Sequence, residues 1–332
     1  MLGGMSRAEL RSWPIPSGLN LVLTALVVFG QLSALALATH GGGGWVTALA
    51  ALAYGTLGQP AFALLHEAEH GKLHPRPWVN EALGVLLGAM FPGSFSILRA
   101  AHLLHHRRNR SEEEMIDLYR PGERLKKTLS YYALISGLIW LGSPLLALAL
   151  CGLPWPKTGA DAPAEGPRNI RLAEFLVFLE GLRPWSVRAE VTLAVVLWAG
   201  LVWALGLSVW PTLACLGAFA SLWASQQYVY HVRTPLHLIE GAFDLAMPRW
   251  MSLFYLRFNY HLTHHRHPMV PWSHLPDVAE EPPWRPYGLT WLRSWAPPRA
   301  MSEAAWPPSW QRRGPLPDHP PPELRRPGGA EN

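Results

Sequence analysis

The chain has little charge and almost no cysteine. Asp, Glu, Lys and Arg make up 15% of its 332 residues, against about a quarter in an average soluble domain, and long windows carry no charge at all. Its two cysteines, Cys151 and Cys215, both sit inside apolar runs. Two thiols exclude an iron–sulfur cluster on four cysteine ligands, a cysteine-rich zinc site and a disulfide framework. No Gly-rich loop opens a helix after a strand, so the nucleotide-binding fingerprint is missing. No stripe of Lys and Arg interleaves with aromatics, so the net charge of +5 does not indicate nucleic acid. A cleavable signal is not expected either. The first 18 residues are polar and punctuated by Pro and Gly, and the run behind them is long enough to span a bilayer.

What the chain does have is apolar length, tryptophan and histidine. Hydrophobic residues reach 49%, with 17 Trp. Basic residues gather beside the apolar runs, as they do at the flanks of membrane helices, and indole rings favour the membrane interface. Residues 19–39 and 45–65 are two runs of spanning length around the turn HGGGG, and they predict a helical hairpin that returns to its starting side. The segment 79–98 is apolar but holds Asn80, Glu81, Pro92, Ser94 and Ser96, which predicts an interfacial or re-entrant piece. Residues 99–127 are basic, and 129–153 is a third apolar run. A loop at 154–188 contains a candidate interfacial piece, FLVFLEGLRPW. Residues 191–230 carry no charge and are interrupted only by Pro211. Beyond Pro282 the chain is dense in Pro and Trp, which predicts an extended or disordered tail.

Eight of the 15 histidines fall into three clusters: HEAEH (His66, His70), HLLHH (His102, His105, His106) and HLTHH (His261, His264, His265). On a helix, positions i, i+3 and i+4 share one face, so each triplet aims its rings at one volume. Neutral imidazole offers a lone pair near pH 7 without losing a proton. His231, at the polar end of 191–230, is a further candidate, with Gln227 one turn earlier on the same face. HEAEH alone fits a zinc peptidase with Glu67 as base. Catalytic zinc takes three protein ligands, however, and that reading leaves both triplets idle. A non-enzymatic metal or haem carrier is hard to reconcile with ligands spread over four segments around a membrane pocket. Eight or nine imidazoles suit two metal ions, and all-nitrogen ligation is compatible with iron without selecting it.

In order, in spacing and in the apolar segments between them, the three clusters resemble the histidine boxes of the membrane fatty acid desaturase superfamily, over residues 20–278. Asn109 and Arg110 after the second box, followed by Asp117, look like the same family. The resemblance implies a non-haem centre of two iron ions, with O2 as co-substrate, that abstracts hydrogen from an unactivated C–H bond. A second abstraction leaves a double bond, and oxygen rebound leaves an alcohol. It implies nine ligands, His66, His70, His102, His105, His106, His231, His261, His264 and His265, with Gln227 in water-mediated contact. Glu67, Asn109 and Asp117 are candidates to stand behind the ligands, the carboxylates by holding a ring N–H. The acidic run 112–114 is a weaker candidate of the same kind, since it also reads as a solvated stretch. His74, His237, His267 and His274 lie off the box register and are expected in ordinary polar roles. The branch most resembled is the acyl-chain desaturases of lipid metabolism, although hydroxylases and ketolases of fatty acids and carotenoids share the boxes. Without a cysteine cluster or haem domain, electrons are expected from a separate ferredoxin or cytochrome with its reductase. Arg107, Arg108, Lys126 and Lys127 form either a dock for such an acidic carrier or a belt facing lipid headgroups.

The expected fold is therefore all-α: an integral membrane protein of about four transmembrane helices with a cytosolic histidine-rich cap holding a di-metal site. Its parts are an N-terminal cytosolic segment (1–18), a membrane domain (19–278) and a Pro/Trp-rich tail (279–332). All boxes must lie on one side, so the crossings between boxes two and three must be even in number. Two layouts satisfy this. In the first, 129–153 and 191–230 each cross once, although a single helix over 191–230 would be about 60 Å long. In the second, 129–153 does not span and 191–230 is a hairpin about Pro211. The spanning length of 129–153 favours the first. Eight basic residues between 99 and 127 predict that the boxes face the cytoplasm, at a bacterial inner membrane.

Overall fold

The computed structural model describes residues 13–111, 114–152, 155 and 182–301. Most of the interfacial piece expected at 175–185 lies outside the described residues, as do Glu112, Glu113, 1–12 and 302–332. Among the described residues, three helices are long and apolar enough to cross a membrane: α1 (Ser17–His40), α2 (Gly44–Glu69) and α7 (Pro184–Leu205). The number rises to five if each of two bent helix pairs is one span. Helix α2 is mostly buried, whereas α1 and α7 present Leu26, Phe29, Val196 and Trp203 outward. Helix α2 is thus the axis of the bundle. Helix α8 (Val209–Gln227) lies along it, and glycine permits the approach. A Cβ on Gly55 would stand 2.8 Å from the Ala218 carbonyl carbon, and one on Gly58 would enter the Phe219 ring.

Hydrogen bonds between helix ends fix the directions. Asn20, at the start of α1, donates to Leu73 O (2.8 Å) just past the end of α2, and Trp272 Nε1 donates to Asn20 Oδ1 (3.0 Å). This is the histidine end. At the other end of α1, His40 Nε2 lies 2.7 Å from Leu205 O, and Ser208 N donates to Thr39 Oγ1. Near the start of α7, Glu190 accepts from the Ser94 and Ser96 hydroxyls at 2.5 and 2.6 Å, at the foot of the second histidine box. Helix α7 therefore runs away from the histidine end and α8 returns to it.

The single long crossing expected over 191–230 is corrected to a hairpin. Its turn falls at Gly206, whose φ of +57° gives a left-handed helix cap, and not at Pro211, which sits in the first turn of α8. The run 129–153 is not a straight crossing. It divides into α5 (Arg124–Ile135), a 3-10 turn (Leu138–Gly142) and α6 (Ser143–Gly152), with a bend of 74°. Gly137 makes the break with φ +90° and packs so closely on Ala220 that a Cβ would lie 2.5 Å from its carbonyl.

The segment 79–98, expected as an interfacial or re-entrant piece, is sharply bent: helices α3 (Pro77–Met90) and α4 (Phe95–Arg108) meet at 95°. The outer end of α3 is tied to the histidine end, where Asn80 donates to Ala68 O (2.9 Å) and accepts from Leu73 N. Helix α4 climbs back carrying the second box. The expected Pro/Trp-rich tail needs correction over its first part. Arg285–Pro286 (β3) pairs with Leu245–Ala246 (β2), and Arg299–Ala300 (β4) with Leu118–Tyr119 (β1). Three short helices, α9 (Arg249–Phe254), α10 (His261–Arg266) and α11 (Leu275–Val278), precede β3. Between β3 and β4, α12 (Tyr287–Ser294) buries Tyr287, and the Tyr131 hydroxyl donates to Ser294 O. The packed body thus extends past the boundary expected at 278.

Exposed Trp45, Trp203 and Trp210 mark the far end of the bundle, and Trp78 and Trp185 the histidine end, as expected of two interfacial belts. Replacing Gly58 by Leu should force α2 and α8 apart at a cost of about 1–3 kcal/mol. A lower thermal unfolding midpoint of the detergent-solubilised protein would show it.

Candidate metal centre

The last turn of α2 delivers His66, and His70 caps it; α4 delivers His102, His105 and His106. His231 follows a single 3-10 turn (Tyr228–Tyr230) after α8. The third box is a six-residue helix, α10 (His261–Arg266), too short to persist alone in water. Asp244 fixes it: its carboxylate accepts from Thr263 N (3.0 Å) and Thr263 Oγ1 (2.5 Å), at the positive end of the helix.

The nine imidazoles converge in two groups. His66, His70, His102, His106 and His264 form one, and His105, His231, His261 and His265 the other. Within each group one nitrogen from every ring lies within 4.8 Å of all the others. Several Nε2 atoms are closer: His70–His102 at 2.7 Å, His102–His106 and His106–His264 at 3.0 Å, and His231–His261 at 2.9 Å. Two nitrogens each about 2.1 Å from one metal and at right angles to each other stand about 3.0 Å apart. His66 Nε2 and His265 Nε2, one in each group, are buried without a hydrogen-bond partner. Burial first, and neighbouring imidazoles second, hold His264 and His265 well below the ordinary value of 6.5. His231 and His261 are held below it in the same way. These four rings are therefore held neutral, each with one nitrogen able to offer a lone pair. Both groups fit a metal ion in donor type and spacing.

The groups around the rings differ in part from those expected. Gly241 O lies 2.8 Å from His231 Nδ1, which makes that nitrogen the N–H and leaves Nε2 as the bare donor. Glu114 Oε2 is 3.3 Å from His105 Nδ1, and Glu69 Oε2 is 4.0 Å from His102 Nδ1. Glu67 instead accepts from Trp272 N (3.2 Å), and Asn109 donates to Leu238 O (3.0 Å). Asp117 accepts from Arg110, Tyr228 and Arg233 N. None of these three residues makes its described bonds to an imidazole. Gln227 donates to Gln59 Oε1 (3.0 Å) across the α2–α8 contact and not toward the rings. Glu69, Asp244 and the Gly241 carbonyl were missed. Only Glu69 left a trace in the sequence, as the second acid of HEAEH. Off the box register, His74 and His237 accept from backbone N–H groups nearby, and His274 contacts Trp13 and Asp277.

A void of about 10 Å³ lies beside His66 and His264 of the first group and His261 of the second, closed by Ala63, Phe258 and Trp272. That is room for about one water-sized molecule. Between α6, α7 and the α3–α4 bend, an apolar cavity of about 430 Å³ is lined by Pro92, Gly93, Ala147, Val191, Trp198 and Leu216. Phe91, the residue before Pro92, packs on Phe62 (ring centroids 5.8 Å apart), and Phe62 packs on His66 (6.2 Å). The family model that matches the chain, over residues 43–295, is described as fatty acid desaturase. No curated protein matches the chain.

The depressed histidines make the metal-free chain acid-labile. Their contribution to stability is complete above about 6.5 and is lost as pH falls toward the lower folded values, because the unfolded chain takes up protons that the folded one refuses. Thermal unfolding of chelator-treated protein should show a midpoint that drops steadily below that pH and stays level above it.

Proposed function

The chain belongs to the fatty acid desaturase family, and from that premise we propose that it is a membrane-bound, O2-dependent di-iron oxidoreductase that introduces a double bond into an acyl chain. The observation that carries this reading is the convergence of nine imidazoles into two adjoining groups. The proposed ligands are His66, His70, His102, His106 and His264 at one iron, and His105, His231, His261 and His265 at the other. Two bound irons supply the means to use O2 against an unactivated C–H bond. Every other part of the task falls to the chain. The rings are brought together at the histidine end, the small void lies against both groups, and Phe62, Phe91 and Phe258 keep an apolar wall against His66 or beside it. The large apolar cavity on the bilayer side supports a hydrocarbon substrate drawn from the membrane.

In this reading α1, α2 and α7 cross, α8 makes the return crossing along α2, and α3 and α4 are re-entrant, which keeps all three boxes at one end. The basic residues between 99 and 127 favour the cytoplasmic side of a bacterial inner membrane for that end. O2 draws electrons from the substrate and from a separate donor, a ferredoxin or cytochrome with its reductase, and Arg107, Arg108, Lys126 and Lys127 are the proposed dock. A peptidase on HEAEH requires Glu67 to face a metal-bound water, whereas this carboxylate is engaged by Trp272 N.

Expression in a host of known lipid composition, followed by mass spectrometry of lipids and pigments, tests the reaction. Acyl chains lacking two hydrogens are expected; products that gain an oxygen atom would identify a hydroxylase or ketolase instead. His105→Ala and His264→Ala should each abolish turnover and lower iron content while the protein remains in the membrane. Glu67→Gln should keep most of the activity, and its complete inactivation would count against the assigned role. Gly44→Cys and Gly288→Cys, both in open space, should react with a membrane-impermeant maleimide from opposite sides, with Gly288→Cys reached only from the cytoplasm.

A further inference from the structure

We propose that Arg110, Asp117 and Tyr228 form a buried positioning unit that holds His231 in the orientation and tautomer the second histidine group requires, with the Gly241 carbonyl as its point of action. The inference rests on the two-metal reading above and concerns how the second site is assembled.

Arg110 is 1% exposed, directly behind the second box, and donates through Nη1 to Asp117 Oδ1 (2.6 Å) and to the Tyr228 hydroxyl (2.9 Å). That hydroxyl donates in turn to Asp117 Oδ1 (2.9 Å) and accepts from Ile116 N (3.2 Å). From this core the bonds reach forward into the segment that follows His231. Asp117 Oδ2 accepts from Arg233 N (2.7 Å), and Arg110 Nη2 donates to Thr234 O (3.3 Å). Asn109 Nδ2 holds Leu238 O (3.0 Å). The Thr234 hydroxyl lies 2.7 Å from His231 O and 3.0 Å from Gly241 O. The segment 231–241 is thereby folded back until Gly241 O meets His231 Nδ1. Only glycine fits at 241, since a Cβ would collide with Arg110 Cγ and His237 O.

Two further features support a positional role over a merely stabilising one. Arg110 and Arg233 have φ of +59° and +58°, a left-handed conformation that is strained for a residue other than glycine and persists only where the surroundings impose it. A buried ion pair is weak evidence for stability, because desolvation offsets most of its attraction. What the pair does achieve is register: Asn109, Arg110 and Asp117, in the stretch that continues directly from box two, grip three points of the chain after His231. The rings of His105 and His231 stand 4.7 Å apart as a result. Apart from the one from Ile116 N, the described bonds of the unit end on one another or within 228–241, on the side of the second group.

The test measures iron per chain and the EPR spectrum of the purified full-length protein. The variants are Asp117→Asn, Gly241→Ala and Tyr228→Phe, the last removing a single hydroxyl and so the least disruptive. Gly58→Leu serves as a control that weakens the bundle away from the unit. The wild type should carry a spin-coupled pair. Asp117→Asn and Gly241→Ala should retain one iron, with the signal of an isolated ferric ion, the second site binding about 10- to 100-fold more weakly. Tyr228→Phe should show the same change in smaller degree, and Gly58→Leu should lower thermal stability with the iron ratio intact. Two coupled irons in both Asp117→Asn and Tyr228→Phe would overturn the inference, as would loss of both irons together in Tyr228→Phe. A wild type that itself carries one metal ion would instead overturn the two-metal reading.

Discussion

Nine imidazole rings packed against one another at one end of a helical bundle impose the main constraint on this molecule. A buried ring nitrogen without a partner costs about 1–3 kcal/mol, and here two of them, His66 Nε2 and His265 Nε2, have none in the protein. The neighbouring rings cannot all satisfy one another, because a neutral imidazole carries one N–H and one lone pair. A cluster of this kind is a poor hydrophobic core and a good set of donors. The rest of the architecture serves to bring its members together: α2 and α8 approach through Gly55 and Gly58, α3 and α4 dip and return, and a hairpin leaves the histidine end and comes back to it.

The histidine boxes were legible because helical periodicity turns a spacing in sequence into a direction in space. Three rings at i, i+3 and i+4 point one way wherever the helix is placed, and the need for all boxes to share a side then restricts the crossings to an even number. The same rule did not identify which layout was built. Pro211 looked like the turn of the 191–230 run, yet it occupies the first turn of α8, where its missing N–H is of no consequence. The turn is made by Gly206, one small residue among many, and its left-handed cap depends on a tertiary contact with His40 and Thr39 at the end of α1. Likewise 129–153 has spanning length in sequence, and Gly137 breaks it against Ala220 of a helix some eighty residues away.

The carboxylates were less legible for a related reason. Closeness in sequence to a histidine says little about which backbone N–H will claim an acid. Glu67 belongs to HEAEH but faces Trp272, more than two hundred residues on, while Asp244, in no motif, anchors the third box through Thr263. The Gly241 carbonyl that sets the tautomer of His231 has no side-chain signature at all. Asp117 was singled out from sequence, and it does act near the site, although on Arg110 and Arg233 rather than on a ring.

The two histidine groups differ in how rigidly their members are mounted. In the first, His66, His102, His106 and His264 lie on α2, α4 and α10, with His70 capping α2, so backbone hydrogen bonding already determines where each ring points. In the second, His231 follows one 3-10 turn and leads into a loop, and a residue so placed has several rotamers and two tautomers open to it. The concentration of buried polar contacts is correspondingly one-sided, with Arg110, Asp117, Tyr228, Thr234 and Asn109 all gathered where helical mounting gives out. With such unequal supports, the chain gains little overall stability from these residues. It gains a defined direction for the one donor that the helices do not orient.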